Sequence, residues 1–404
     1  MTTSSTAAGI NSPAPATSSP AWGRPVAVLA LGSFAMGTDS FVLAGILPQI
    51  AHGLRISTGA AGQTITAFAL AYGLTAPFLA ALTSRLPRKP LLVVALALFV
   101  LANLASAAAP DLPLLLTARV VAGLGAALYT PNASAAAAAL AGPAARGRAL
   151  SMILGGLTVG TVFGVPVGTA IGQHLSWEAG LVFVAAVGAL ALLGVVVVLP
   201  GLPIPPAIPL ARRFAVLANR RVVAMVAFML LASGGSIMVY TYTYTATVLG
   251  QIAHIHGTGL AAALLAWGVG GIFGSFGSGW LTDRLGAART LTVAIALLIV
   301  TLAALTVCTS MVPVIVVMVL NGAAGWALAT PNNHRLTALA PTLPSVVISF
   351  NSSGIYLGQA LGAALGGILV DHGITARALC LAGVAVALAA AAVHGLIPRP
   401  APES

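Results

Sequence analysis

Residues 179–199 read AGLVFVAAVGALALLGVVVVL, twenty-one positions without a charged or hydrogen-bonding side chain. At 1.5 Å per residue such a run makes a helix of about 30 Å, the thickness of bilayer hydrocarbon. A backbone in lipid must satisfy its own hydrogen bonds, and a helix does so within one segment. Outward from this run the pattern recurs along the chain. Cutting at charges, Pro/Gly clusters and short polar stretches predicts twelve spans, at 24–47, 61–82, 90–109, 113–138, 149–172, 179–199, 221–247, 257–281, 289–309, 313–334, 345–370 and 374–396. The expected fold class is an all-α membrane protein with twelve transmembrane helices in two pseudo-symmetric six-helix bundles.

Composition agrees. Of 404 residues, 59% are hydrophobic and 6% charged, with a mean hydropathy of +1.05. Soluble domains carry about 25% charge, so this chain has too little polarity to cover its surface in water. Its main solvent is lipid, and membrane lipids are its first expected partners. The formal charge of +11 comes from small groups of bases between apolar runs, the pattern of anchoring to an anionic leaflet, and nucleic acid is not expected as a partner. Cys308 and Cys380 lie inside apolar runs and suggest neither a disulfide framework nor a thiolate metal site. His254 and His256 have no further ligand in view, and no metal or cofactor is assigned. No phosphate-cradling loop followed by Lys-Ser/Thr is present, which counts against an ATP-driven pump, and no catalytic triad or carboxylate pair can be argued.

The bases also orient the chain. With the N-terminus inside, fourteen fall on the inner side and only Arg55 and Arg377 on the outer, which predicts cytoplasmic termini at both ends and an even number of spans. The Ser/Thr/Ala/Pro-rich residues 1–21 read as a disordered cytoplasmic tail rather than a cleaved signal. A Pro-rich then Arg-rich linker, 200–220, separates bundles at 22–199 and 221–397, and 398–404 form a second tail.

The halves repeat each other. Leu82-Thr83-Ser84-Arg85-Leu86 recurs as Leu281-Thr282-Asp283-Arg284-Leu285, and Thr130-Pro131-Asn132 as Thr330-Pro331-Asn332. In the fifth span of each half, Gly160, Gly164 and Gly168 match Gly358, Gly362 and Gly366. Parallel repeats of this kind suit two bundles that rock about a shared central site. The glycine stripes, Gly156 included, allow close helix approach. Two readings stand: ordinary helix packing, or the surfaces on which the halves move. Pro166 is placed to bend the first stripe.

Asp39 and Arg119 are the charges placed inside spans, at similar depth in the outer half of the membrane, where neither is tolerated unless paired or wetted. They are candidates for proton coupling or, on the plainer reading, for a static helix clamp. Span seven ends in alternating Tyr and Thr from Tyr240 to Thr245, either an aromatic belt or a substrate wall. Asn132, Tyr240, Tyr244, Trp267, Trp326, Asn332, Asn351 and Gln359 are the substrate-cavity candidates.

Phe34-Ala35-Met36-Gly37-Thr38, continued by Phe41-Val42-Leu43-Ala44-Gly45-Ile46-Leu47-Pro48, resembles the first span of the major facilitator superfamily's bacterial drug/proton antiporters, the group of arabinose-efflux-like, purine-efflux-like and chloramphenicol-resistance-like permeases. The similarity runs from about residue 24 to 396. Gly279-Trp280-Leu281-Thr282-Asp283-Arg284-Leu285-Gly286 is similar to the superfamily's loop signature, and implies a cytoplasmic gate formed by Arg85, Arg88, Asp283 and Arg284. Ser84 stands where the first half would carry the matching Asp. Arg119, in Ala118-Arg119-Val120-Val121-Ala122-Gly123, matches the fourth-span arginine associated with proton coupling. Gly155 through Gly168 matches the fifth-span signature of exporters.

The resemblance implies a protein of the bacterial cytoplasmic (inner) membrane that exports small drugs by alternating access in exchange for protons; the scarcity of carboxylates in the spans favours neutral or weakly polar compounds, and a monomer is expected. Export of a defined sugar, nucleoside or other metabolite is a second reading. A receptor or assembly protein that uses the bundle without turnover is a third.

Overall fold

The computed structural model describes residues 22–83, 86–202, 210–232, 244–341 and 343–397. The first six long helices are α1 (Gly23–Leu54), α2 (Thr58–Leu82), α3 (Arg88–Ala107), α4 (Leu112–Gly142), α5 (Ala145–His174) and α6 (Trp177–Val198). A short helix, Leu210–Phe214, and a 3-10 turn, Ala215–Ala218, lead into the second half. There follow α7 (Arg220–Met229), α8 (Thr245–Ala253), α9 (Thr258–Leu285), α10 (Ala287–Leu305), α11 (Met311–Leu339), α12 (Pro344–Asp371) and α13 (Ala376–Leu396).

Ten of these helices are long and apolar enough to cross a membrane. The two expected spans outside that count are the second, which is the 25-residue α2, and the seventh, whose ends are α7 and α8. The centre of the seventh, 233–243, and with it Tyr240, lies outside the described residues, as do the two expected tails, 1–21 and 398–404, and Arg85.

Helix ends follow local chemistry. Pro48 does not stop α1 at the expected edge; the helix runs on to Leu54. It ends where Arg55 turns left-handed (φ 53°), so that the Arg55 and Ile56 N–H groups cover the last carbonyls. Asp111 starts α4 by accepting a hydrogen bond from the Leu114 N–H at 2.9 Å. Gly142, at φ 65°, separates α4 from α5 in a conformation that favours glycine. Inside α5, residues Gly160–Gly164 widen into a π-turn immediately before Pro166, which has no N–H to continue the ladder. Within α11 the helix is interrupted at Ala327 and Leu328, three residues ahead of Pro331, and then continues to Leu339.

The first six helices pack together, with α1 against α4, α5 and α6, and α3 against α4 and α6. In the second half α9 and α10 pack on α11, and α13 on α7 and α10. The two bundles meet where α2 runs along α12, α5 touches α9 and α1 touches α8. Leu190, Leu193 and Val197 of α6 face outward, a surface that hydrocarbon accommodates and water does not. Both ends of the helical part, Gly23 and Leu396, lie on one side, here the terminal face; the side holding the α1–α2 turn is the far face.

The glycine stripe of α5 corrects one reading. A Cβ on Gly156 or Gly160 would stand 2.2 Å from the Ala30 or Phe34 carbonyl oxygen, and one on Gly164 2.0 Å from Thr38 Oγ1. Gly168 and Gly172 likewise close on Val42 and Ile46. This stripe therefore seats α5 on α1 within one bundle and is not the surface between the halves. A different face of α5 meets the other bundle, where a Cβ on Gly268 would lie 2.8 Å from Val162 Cα. In the second half, Gly358, Gly362 and Gly366 are buried on α12, the helix that runs along α2.

Candidate functional site

Asp39 on α1 and Arg119 on α4 form a two-pronged ion pair. Arg119 Nη1 donates to Asp39 Oδ1 at 2.9 Å and Nη2 to Oδ2 at 3.1 Å. Both residues are 1% exposed, and theirs is the one ion pair among the described residues. The forked geometry makes two parallel charge-assisted bonds, the arrangement that best offsets desolvation. Asn103 on α3 contributes its Oδ1 as a third acceptor at 3.3 Å, and the Phe68 ring on α2 lies 4.6 Å from the guanidinium carbon. Arg119 Nε has no partner among the described residues. Because α1 continues to Leu54, Asp39 sits at position 17 of 32 in that helix. The pair is therefore at mid-height along α1 rather than in the outer half that the shorter expected span implied.

The second bundle carries a neutral counterpart. Trp267 on α9 donates from Nε1 to Asn321 Oδ1 at 3.2 Å, and Asn321 Nδ2 donates to Thr301 Oγ1 at 3.1 Å. Phe68 and Trp267 are 199 positions apart, the offset of the internal repeat. The same layer thus holds a charge pair in one bundle and an amide, a hydroxyl and an indole in the other.

The residues that follow Asp39 touch the opposite bundle. Gln359 Nε2 on α12 donates to the Ser40 carbonyl oxygen at 3.3 Å. The Phe41 ring meets Trp267 edge-on at 6.0 Å, and Trp267 in turn meets Trp326 at 6.2 Å. Tyr72 on α2 and Tyr356 on α12 stack across the seam with centroids 3.7 Å apart, and Phe68 lies 6.4 Å from Tyr356. The ion pair is therefore one residue away from an aromatic seam between the bundles. Trp267, Trp326 and Gln359, three of the cavity candidates, lie in this layer. Asn103, Ser40, Tyr72, Tyr356, Thr301 and Asn321 belong to it as well and were not among the sequence candidates. A polar residue alone in an apolar run was the available signal.

Other cavity candidates do different work. Asn132 donates to the Leu128 carbonyl at 2.7 Å and accepts from Arg88, which ties α4 to the start of α3. Asn332 donates to the Met225 carbonyl at 3.3 Å and to Asn351 Oδ1 at 2.9 Å, while Asn351 donates to Asn333 Oδ1 at 2.9 Å. These amides fasten α7, α11 and α12 to one another within the second bundle. Tyr244 is fully buried toward the far face and donates to the Ala363 carbonyl at 2.7 Å. No cluster of three His, Cys, Asp or Glu among the described residues could hold a metal.

The sequence profile of the Major Facilitator Superfamily matches residues 29–343. The chain belongs to the Major Facilitator Superfamily. It is 30% identical over 382 residues to the inner membrane transport protein YdhP of Escherichia coli K12, covering 94% of this chain and 97% of that one. It is 32% identical over 353 residues to a chloramphenicol resistance protein of Streptomyces lividans, covering 86% and 89%. The solved nucleoside transporter NupG shares the fold with a TM-score of 0.76 at 14% identity, over 94% of this chain and all of that one. The protein is thus a membrane transporter with the major facilitator fold and is not an enzyme.

Of the residues that the resemblance placed in a gate, Arg85 lies outside the described residues, and Arg88, Asp283 and Arg284 are not joined to one another. Asp283 is exposed and makes no ion pair among the described residues. Arg284 folds back over the Trp280 ring at 4.1 Å, and Arg88 is engaged by Asn132. The terminal face is bridged differently: Phe214 of the linker helix lies 5.1 Å from Phe78 on α2 and 5.4 Å from Phe350 on α12.

Proposed function

We propose that this transporter exports small, neutral or weakly polar amphipathic compounds, drugs among them, across the bacterial inner membrane in exchange for protons. The observation that carries this reading is the forked, fully buried Asp39–Arg119 pair one residue from the seam between bundles. Protonating Asp39 removes the negative charge and turns one of the two accepting oxygens into a donor, which breaks the fork to a still cationic Arg119 and so changes what α1 presents at Ser40 and Phe41. Proton binding then shifts the balance between inward-open and outward-open arrangements, because it is worth different free energies in the two. Substrate enters from the cytoplasm and leaves outside, and a proton taken from outside onto Asp39 resets the carrier.

The neutral Trp267–Asn321–Thr301 set and the Tyr72–Tyr356 stack favour aromatic or amphipathic uncharged cargo, since among the described residues the carboxylate in this layer, Asp39, is already paired with Arg119. Kinship to a chloramphenicol resistance protein supports drugs as the class, and kinship to an inner membrane transport protein supports the location. The terminal face is cytoplasmic, as the fourteen-to-two division of bases favours. One chain supplies both sides of the site, so a monomer suffices.

Everted vesicles with an imposed pH gradient, supplied with neutral antibiotics, sugars and nucleosides in turn, test the reading. Gradient-driven accumulation of a neutral antibiotic, abolished by a protonophore, is the expected result. Accumulation of a sugar or nucleoside alone would assign a metabolite exporter, and binding without flux for every compound would assign a receptor.

A further inference from the structure

At the far face, Asp371 at the end of α12 reaches across the seam to the start of α2. Its Oδ2 accepts from Ser57 Oγ at 2.7 Å, and its Oδ1 accepts from the Gly59 backbone N–H at 3.1 Å. Ser57 Oγ itself accepts from the Ala60 N–H at 3.0 Å. The first N–H groups of a helix have no partner inside it. Here one is served by a residue of the same bundle, and the next by a carboxylate of the opposite bundle. The positive end of the α2 dipole favours a negative charge at that point.

Packing around this contact leaves no slack. A Cβ on Gly59 would stand 2.3 Å from the Gly367 carbonyl oxygen and 2.5 Å from the Asp371 carboxylate carbon, and one on Gly367 would stand 2.8 Å from the Gly59 carbonyl oxygen. A Cβ on Gly62, one turn further along α2, would fall 2.1 Å from the Tyr244 hydroxyl. The α2 and α12 backbones therefore close to direct contact at this end.

We propose that Asp371, Ser57 and Gly59 form the latch of the outer gate, with Asp371 as a positioning residue that sets how often the far face opens. The assignment of the far face as outer rests on the orientation proposed above. When the bundles part on that side, the Gly59 N–H and the Asp371 carboxylate separate, and α2 loses half of its cap. The latch thus opposes opening without touching cargo, and it complements the aromatic contact of Phe214 at the other face.

The test uses a cysteine under the latch. Thr66 lies seven residues past Gly59 on α2, and its Oγ1 is buried. In full-length protein with Cys308 and Cys380 replaced by alanine, Thr66→Cys is labelled in intact cells with a membrane-impermeant maleimide. Adding Asp371→Ala is expected to raise the labelling rate about tenfold, as loss of a charged cap implies. Ser57→Ala raises it less, and the double variant falls short of the product of the two because both remove one contact. Asp111→Ala removes the acidic cap of α4, which serves its own bundle, and leaves the rate unchanged. Should Asp371→Ala fail to reach the membrane, Asp371→Asn is read in the same way with an expected rise of about threefold. An unchanged rate in the Asp371 variant, or an equal rise in Asp111→Ala, overturns the latch. Labelling needs no substrate, so its outcome is independent of the cargo and of proton coupling.

Discussion

Gln359 Nε2 lies 3.3 Å from the carbonyl oxygen of Ser40, so the second bundle is hydrogen-bonded to the residue that follows the buried carboxylate of the first. Asp39 itself is held by Arg119. A change at Asp39 has one peptide unit to travel before it reaches the surface along which the bundles separate, and the predictions below follow from that layer and from the contacts that flank it.

Removing one member of the pair leaves the other buried and uncompensated. Arg119→Ala or Asp39→Ala is expected to cost about 3–5 kcal/mol of stability. The double variant Asp39→Asn/Arg119→Gln, which replaces the charges by amides able to bond each other, loses less than the worse single change. Thermal unfolding in detergent with bound lipid reads the difference; additive losses would show that the two side chains act separately.

Gly160 and Gly155 are five residues apart on α5 and predict opposite outcomes. A Cβ at Gly160 would stand 2.2 Å from the Phe34 carbonyl oxygen, whereas one at Gly155 has nothing within 4 Å. Gly160→Ala forces α5 off α1 at a cost of about 1–3 kcal/mol. Gly155→Ala is neutral or slightly stabilising, since alanine favours a helix by up to about 1 kcal/mol. Melting temperatures of the two variants decide it, and equal shifts would remove the close-packing argument.

Across the seam, the Tyr72–Tyr356 stack should show a coupling of about 0.5–1.5 kcal/mol in a double-mutant cycle of alanine substitutions. Tyr→Phe at either position keeps the ring and most of that coupling. The cycle is measured by thermal unfolding without substrate; independence of the two sites would mean that the rings are merely adjacent.

On the terminal face, Phe214 joins the linker helix to both bundles through Phe78 and Phe350. Phe214→Ala is expected to lower stability by about 1 kcal/mol and Phe214→Trp to preserve it. Limited proteolysis supplies a second readout, with faster cleavage near residues 200–220 expected in Phe214→Ala.

Much of this is legible in the sequence. Two charges inside apolar spans had to find each other or water, and Asp39 and Arg119 do pair. The repeats at Thr130-Pro131-Asn132 and Thr330-Pro331-Asn332 correctly imply two related bundles, and their asparagines are hydrogen-bonded within their own halves. A polar side chain within a span can face a path or satisfy a neighbouring carbonyl, and sequence carries no sign of which. The direction of the α5 glycines was equally hidden, because a helix that is apolar on every side has no polar face to mark its partner. Pro48 cut α1 short in the reading because its effect on a soluble helix is severe, whereas here α1 runs past it to Leu54. Tyr72 and Tyr356 passed unnoticed for a simpler reason: stacking between residues 284 positions apart leaves no local pattern.

The claim on which the account turns is that the Asp39 carboxylate carries the proton. The most direct measurement is transport of one identified substrate in proteoliposomes, with and without an imposed pH gradient, by the wild-type protein and by Asp39→Asn. Asp39→Asn is expected to lose gradient-driven accumulation by about tenfold or more, while substrate exchange at equal pH continues. Accumulation in Asp39→Asn that responds to the gradient as fully as in the wild type would contradict that claim.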